Sequence, residues 1–151
     1  MIYGIGTDIV AVARIALLHQ KYGSALARRI LSPQELEQCA GCLDEVRFIA
    51  KRFAAKEAVA KVLGAPDGLN WQDCEVASSE SGQPYLILTG TIAERARTLG
   101  INRLHLSLTH DEPVAVAIAT AEYLSATELA HLKRFDPESY SMTVLTEDPT
   151  D

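Results

Sequence analysis

A chain of 151 residues with 48% hydrophobic content is one domain with room for a single core, and its longest apolar run of note, around Val114 to Ala119, falls well short of a membrane span. The net charge of −6 sits mostly at the C-terminal end: seven acids against Lys133 and Arg134 follow Ala121, while the first 121 residues carry 13 acids and 12 bases. A nearly neutral body without an extended basic patch or an aromatic platform excludes nucleic acid as an expected partner. In chain order, the run from Ile2 to Val10 reads as a strand, apolar and β-branched except for Asp8. An amphipathic helix follows from about Val12 to Tyr22, stopped by Gly23, and a second short helix carries Leu26 and Ile30. Ser32-Pro33-Gln34-Glu35 is a helix start with Ser32 as N-cap, proline at the first position and Glu35 closing a capping box. Gly41 ends that helix, and a long one runs from about Val46 to Leu63 until Gly64. Glu75–Ser78 and Tyr85–Leu88 form a hairpin around Ser81-Gly82-Gln83-Pro84, Thr91–Leu99 is a helix, and Leu104–Thr109 alternates as a strand that returns as Val114–Ala121.

This order suggests an α+β fold with an antiparallel sheet and one long buried helix, in a single domain over residues 1–124. Residues 125–151 form a second segment. Ser125-Ala126-Thr127-Glu128 is another capping box, opening a short helix over 126–135, and the acidic, polar stretch beyond Asp136-Pro137 has the composition of a disordered tail. No basic stretch precedes the first apolar run, so no signal peptide and a cytoplasmic location are expected. Three cysteines, an odd number, agree with a reducing compartment. Cys39 and Cys42 have C-x-x-C spacing, but no second pair completes a zinc site, so ordinary thiols are the expectation.

Residues 52–61, RFAAKEAVAK, carry the densest chemistry. At 100° per residue Phe48, Ile49, Phe53, Val59, Val62 and Leu63 share one arc of the long helix, and Ala50, Ala54 and Ala58 form its back. Glu57 and Lys61 are spaced as an i,i+4 ion pair, and Arg52 and Lys56 project from within the apolar arc. Four charges on a helix with so little polar surface need partners other than water. Asp8 occupies a core position in the first strand, where an unpaired carboxylate costs several kcal/mol. Either it N-caps the following helix, or it shares a hard cation with Glu57. Mg²⁺ suits the second arrangement, because it takes few carboxylates, keeps waters and binds substrate phosphate oxygens.

MIYGIGTDIVAVARI, RFAAKEAVAK, GQPYL and SLTHD together, in this order and spacing, resemble the holo-(acyl-carrier-protein) synthases, bacterial 4′-phosphopantetheinyl transferases, over about residues 1–121. The resemblance implies a 4′-phosphopantetheinyl transferase-like fold. It also implies transfer of the phosphopantetheine arm of coenzyme A to a serine of apo-acyl carrier protein, with adenosine 3′,5′-bisphosphate as the other product. It implies magnesium dependence, a role in fatty-acid synthesis, and a homotrimer with sites at subunit interfaces. A non-catalytic coenzyme A or nucleotide-binding regulatory module is the alternative.

By the same resemblance Asp8 and Glu57 are the metal ligands, Glu57 is also the candidate proton acceptor, and Lys61 reaches the phosphates. Arg52 is either a phosphate contact or a core-edge ion pair. His110 is either a nucleotide contact or a solvated loop residue, and Pro84 belongs to a turn near the nucleotide, with Gln83 where relatives carry lysine. Gly64-Ala65-Pro66-Asp67-Gly68 is shorter than the loop relatives have after the long helix. Arg14, Lys21 and Arg28 lie on the first two helices, either as a solubilising surface or as the face that receives the acidic carrier protein.

Overall fold

The computed structural model describes residues 1–135 and 143–145. Strand β1 (Ile2–Ala11) leads into helices α1 (Val12–Tyr22), α2 (Ser24–Ile30) and α3 (Pro33–Ala40), and then into the 18-residue α4 (Glu45–Val62). A single 3-10 turn (Trp71–Asp73) opens the hairpin β2 (Cys74–Ser78) and β3 (Pro84–Leu88). Helix α5 (Gly90–Thr98) precedes the hairpin β4 (Arg103–Asp111) and β5 (Val114–Glu122), and α6 (Ala126–Phe135) and β6 (Thr143–Leu145) follow. Among the described residues the strands form two three-stranded sheets rather than one: antiparallel β1-β5-β4, and β2-β3-β6, in which β6 runs parallel to β3. The order of elements could not separate these sheets, because which strand follows which says little about long-range pairing.

The alanine back of α4 is its most buried face. Ala50, Ala54 and Ala58 are fully buried, as are Ala115, Ala117 and Ala119 of β5, while Phe48 and Phe53 of the expected core arc are only half-buried. Small residues on both sides let the helix backbone come close to the sheet. Gly6 shows how close: a Cβ there would stand 2.0 Å from the Ala58 carbonyl oxygen and 2.9 Å from the Val62 nitrogen. The Arg47–Glu112 ion pair fixes the N-terminal end of α4 beside the β4–β5 turn, so the helix runs antiparallel to β1.

The capping box at Ser32 forms as its sequence predicts. Glu35 N–H donates to Ser32 Oγ at 3.2 Å, and Ser32 N–H donates to Glu35 Oε2 at 2.9 Å. The second box also forms, with Ser125 N–H donating to Glu128 Oε2 at 2.8 Å, and α6 opens there. Of the expected disordered stretch, Thr143–Leu145 lies along β3, and 136–142 and 146–151 lie outside the described residues.

Candidate active site

Asp8 lies on the inner face of β1, two residues beyond Gly6 and in register with Ala117 of β5. It does not cap α1, whose N-cap is Ala11 and has no side-chain cap bond. Instead it is bound from α4: Lys61 Nζ donates to Asp8 Oδ1 and to the Thr7 carbonyl, both at 2.8 Å. The ion pair of Lys61 therefore reaches across to β1 and does not run along the helix to Glu57. The close contact at Gly6 explains the preference, because it brings the strand within reach of a lysine one turn beyond Glu57.

The half-buried Glu57 carboxyl is held above the ordinary carboxylate range. Burial is the main cause and the neighbouring Asp8 charge the second; Lys61 and Arg14 pull in the opposite direction. Two carboxylates and two cations from β1, α1 and α4 thus share one field. The Asp8 side chain is 15% exposed and Lys61 48% exposed, so the acid is sheltered while the ammonium can turn toward a ligand. The donor set suits a hard divalent cation. Two neighbouring carboxylates lose their repulsion to such an ion, and Mg²⁺ needs no third protein ligand when waters and phosphates supply the rest. Among the described residues no group of three or more His, Cys, Asp or Glu side chains could hold a metal.

An apolar cavity of about 500 Å³ opens beside Glu57, between α1, α2 and α4. Leu18, Tyr22, Leu26, Ile30, Phe53 and Trp71 form most of its wall, with the Phe53 and Trp71 rings tilted against each other at 6.2 Å. Arg14, Lys21 and Arg28 are all exposed outside it on α1 and α2. Lys21 lies over the Tyr22 ring, and Arg28 donates to Ser24 Oγ at 2.9 Å. Leu17 and Tyr22 add exposed apolar surface to this basic face.

Arg52, His110 and Pro84 lie apart from the cluster. The Arg52 guanidinium stacks on Phe48 at 4.5 Å, with Nε 3.5 Å from Glu35 Oε1, and its side chain is 11% exposed. This is the core-edge ion pair that its place in the apolar arc permits. Burial holds its pKa below the usual arginine value, opposed by Glu35. His110 is exposed near the end of β4. It shares the inner sheet face with Asp8 but stands two strands over and one residue pair further along, roughly 12 Å away by strand spacing. Pro84 opens β3 in the other sheet. Neither makes a hydrogen bond or ion pair with the acidic pair among the described residues.

Sequence reasoning missed a fully buried hub behind the cavity. Lys56 Nζ bonds Glu35 Oε2 at 2.6 Å, the Ile30 carbonyl at 2.7 Å and the Trp71 carbonyl at 3.0 Å, while Glu35 Oε1 accepts from Val76 N–H at 2.9 Å. A lysine in an apolar arc was the available signal, but nothing local marked the capping-box glutamate as its partner. The three cysteines are free, and burial pushes Cys39 to about 11 and Cys74 to about 12, so both are inert structural thiols at neutral pH.

Comparison with known proteins gives the class to which this chain belongs. Residues 4–119 match the 4′-phosphopantetheinyl transferase superfamily, and the chain belongs to it. Within that class it is similar to the holo-[acyl-carrier-protein] synthase of Edwardsiella ictaluri, at 48% identity over 123 residues, 80% of this chain and 98% of the relative. The crystal structure of the Neisseria meningitidis holo-[acyl-carrier-protein] synthase superposes with a TM-score of 0.76 at 38% identity, covering 81% of this chain and 99% of that one. The Helicobacter pylori holo-[acyl-carrier-protein] synthase, solved in complex with coenzyme A, gives a TM-score of 0.69 at 31% identity, with 79% and 100% coverage.

Proposed function

We propose that this protein is a holo-(acyl-carrier-protein) synthase, transferring the 4′-phosphopantetheine arm of coenzyme A to a serine of apo-acyl carrier protein and releasing adenosine 3′,5′-bisphosphate. The observation that carries the reading is the convergence of Asp8, Glu57 and Lys61 beside an apolar cavity. The serine hydroxyl must lose its proton as it attacks the phosphorus. Glu57, with its raised proton affinity, is better matched to that task near neutral pH than an ordinary carboxylate. The bond broken joins the two phosphates of coenzyme A, and the Lys61 ammonium is placed to neutralise charge gathering there. Asp8 holds Lys61 until phosphate arrives. Asp8 and Glu57 would hold Mg²⁺, which when bound supplies charge neutralisation at the pyrophosphate. The pantetheine arm, through its gem-dimethyl and methylene groups, packs in the cavity lined by Tyr22, Phe53 and Trp71, and the face bearing Arg14, Lys21 and Arg28 receives the acidic carrier protein.

The working form in this reading is a homotrimer with sites between copies. Support comes from the outer face of the first sheet, where Ile5, Ile9 and Ile118 are 63%, 65% and 44% exposed. Such a patch in a small protein marks an interaction surface. The separation of His110 and Pro84 from Asp8 within one chain also favours sites completed by a neighbour. No described helix is long and apolar enough to cross a membrane. Coenzyme A as substrate and free thiols support a cytoplasmic setting in fatty-acid synthesis. Incubation with apo-acyl carrier protein, coenzyme A and Mg²⁺ should give carrier bearing the arm by intact mass. An unmodified carrier, with coenzyme A still bound by the protein, would instead establish a non-catalytic binding module.

A further inference from the structure

Lys56 precedes the candidate base Glu57 in sequence, yet its ammonium points into the core and is 0% exposed. An ammonium has three donors, and all three are used: on Glu35, on the Ile30 carbonyl and on the Trp71 carbonyl. Ile30 ends α2 and Trp71 begins the 3-10 turn, and both form the cavity wall beside Glu57. Two walls from distant parts of the chain therefore hang from one cation on the helix that carries the reacting carboxylate. Phe53, one turn before Lys56, completes the same wall through its contact with Trp71. A further link between these walls is peripheral: the Gln72 side chain donates to the Arg28 carbonyl at the exposed rim.

Stability alone gives no reason for a buried lysine here. A well-packed apolar group in place of a buried ion pair is often neutral or stabilising. A cation with fixed partners does something an apolar group cannot, which is to set the spacing of two carbonyls to within a hydrogen-bond length. We propose that Lys56 is a positioning residue that fixes the separation of the Ile30 and Trp71 walls and thereby aligns the pantetheine arm, and the phosphorus it carries, with Glu57. This rests on the reading that the cavity receives the arm.

Trp71 is the sole tryptophan of the chain, so its emission reports on the cavity directly. Glu35→Gln/Lys56→Met removes both charges together and avoids leaving a buried carboxylate unpaired, while Arg52 at the core edge loses its Glu35 partner and keeps its stacking on Phe48. Coenzyme A and adenosine 3′,5′-bisphosphate, which lacks the arm, are each titrated against the wild type and the double variant while Trp71 fluorescence is followed. In the wild type coenzyme A should bind more tightly than the bisphosphate and alter the emission. In the double variant coenzyme A affinity should fall about tenfold, the low end of what a one-methylene misfit does in an apolar pocket, and bisphosphate affinity should hold. Turnover at saturating coenzyme A should fall as well, because the arm is misaligned even when bound. A double variant that keeps the wild-type ratio of the two affinities overturns the role of Lys56, and so does equal loss of both ligands, which is general loosening. A wild type that binds coenzyme A no better than the bisphosphate, with Trp71 emission unmoved, overturns the cavity reading itself and this proposal with it. Lys56→Arg serves if the double variant does not fold. It keeps a charge for Glu35 but its larger head changes the wall spacing, and the same shift in ratio is expected.

Discussion

Gly6→Ala tests the link between backbone packing and the site. The added methyl would stand 2.0 Å from the Ala58 carbonyl oxygen, where about 3.4 Å is an ordinary contact, so β1 and α4 must part locally by about 1.4 Å. Neither neighbour can yield by rotating a side chain, because both close atoms belong to the α4 backbone. Overpacking of this kind costs about 1–3 kcal/mol, which for a chain of 151 residues lowers Tm by roughly 3–10 °C. The catalytic consequence is larger. The same displacement separates Asp8 on β1 from Glu57 and Lys61 on α4 and stretches the 2.8 Å Lys61–Asp8 bond. A misplacement of about 1 Å costs about a hundredfold in rate, so carrier modification should fall by about that factor at a temperature where the variant is fully folded. Thermal unfolding by circular dichroism and initial rates by intact mass measure the two effects separately. A folded Gly6→Ala enzyme with wild-type turnover would show that the Asp8–Glu57 spacing does not depend on this contact.

Glu57→Gln should abolish most transfer yet raise thermal stability at pH 8. Because the folded-state pKa lies above its unfolded value, the stability gained by holding the proton is lost as pH rises through the folded pKa, and glutamine removes that loss. The Tm difference should close in acid, and a gap that persists there would contradict this account. Lys61→Met should lower turnover more than coenzyme A affinity, since its charge is needed most in the transition state; weakened binding at unchanged turnover would make it a binding group only. Arg14→Glu should weaken carrier recognition while sparing coenzyme A, and the wild-type reaction should slow as salt rises. It should also move the acidic limb of the rate profile upward, because Arg14 is one of the two cations that hold the Glu57 pKa down. Deleting residues 126–151 should leave turnover of the trimmed chain within about twofold, since the family match ends at residue 119; a large loss would mean that β6 on the edge of β3 is required.

The features legible in sequence were those carried by local periodicity or a short motif. The capping boxes at Ser32 and Ser125, the long helix stopped at Gly64 and the alternating β4 were all readable, because each depends on residues a few positions apart. Asp8 was legible as an anomaly, a carboxylate where an apolar residue belongs. Its partner was not, because Lys61 lies 53 residues away and the local rule pairs Lys61 with Glu57. The alanine back of α4 was legible as part of a buried helix, but what it packs on was not, because Gly4, Gly6 and the β5 alanines that allow the close approach are distant in sequence. His110 stands two strands from Asp8 and Pro84 lies in the other sheet, and no local pattern encodes that long-range arrangement.

The same buried helix carries two ion-pair systems with opposite energetic characters. At Lys56 the ion pair with Glu35 is fully desolvated and the ammonium is bonded in every direction, so breaking one partner costs about 3–5 kcal/mol. One residue further, Glu57 faces Asp8 with partial compensation from Lys61 and Arg14, and its charged form is disfavoured. A repulsive pair of this kind would relax by separating its carboxylates unless its supports could not move. The strand cannot retreat from the helix, because the glycine and alanine contact leaves both backbones in close register. Rotation of the helix is opposed by Lys56, which is tied to α2, α3 and the 3-10 turn. The unfavourable field at Asp8 and Glu57 is thus held in place by favourable packing one turn away. In the proposed reaction a bound cation would relieve that repulsion, and the two carboxylates are held where it would do so.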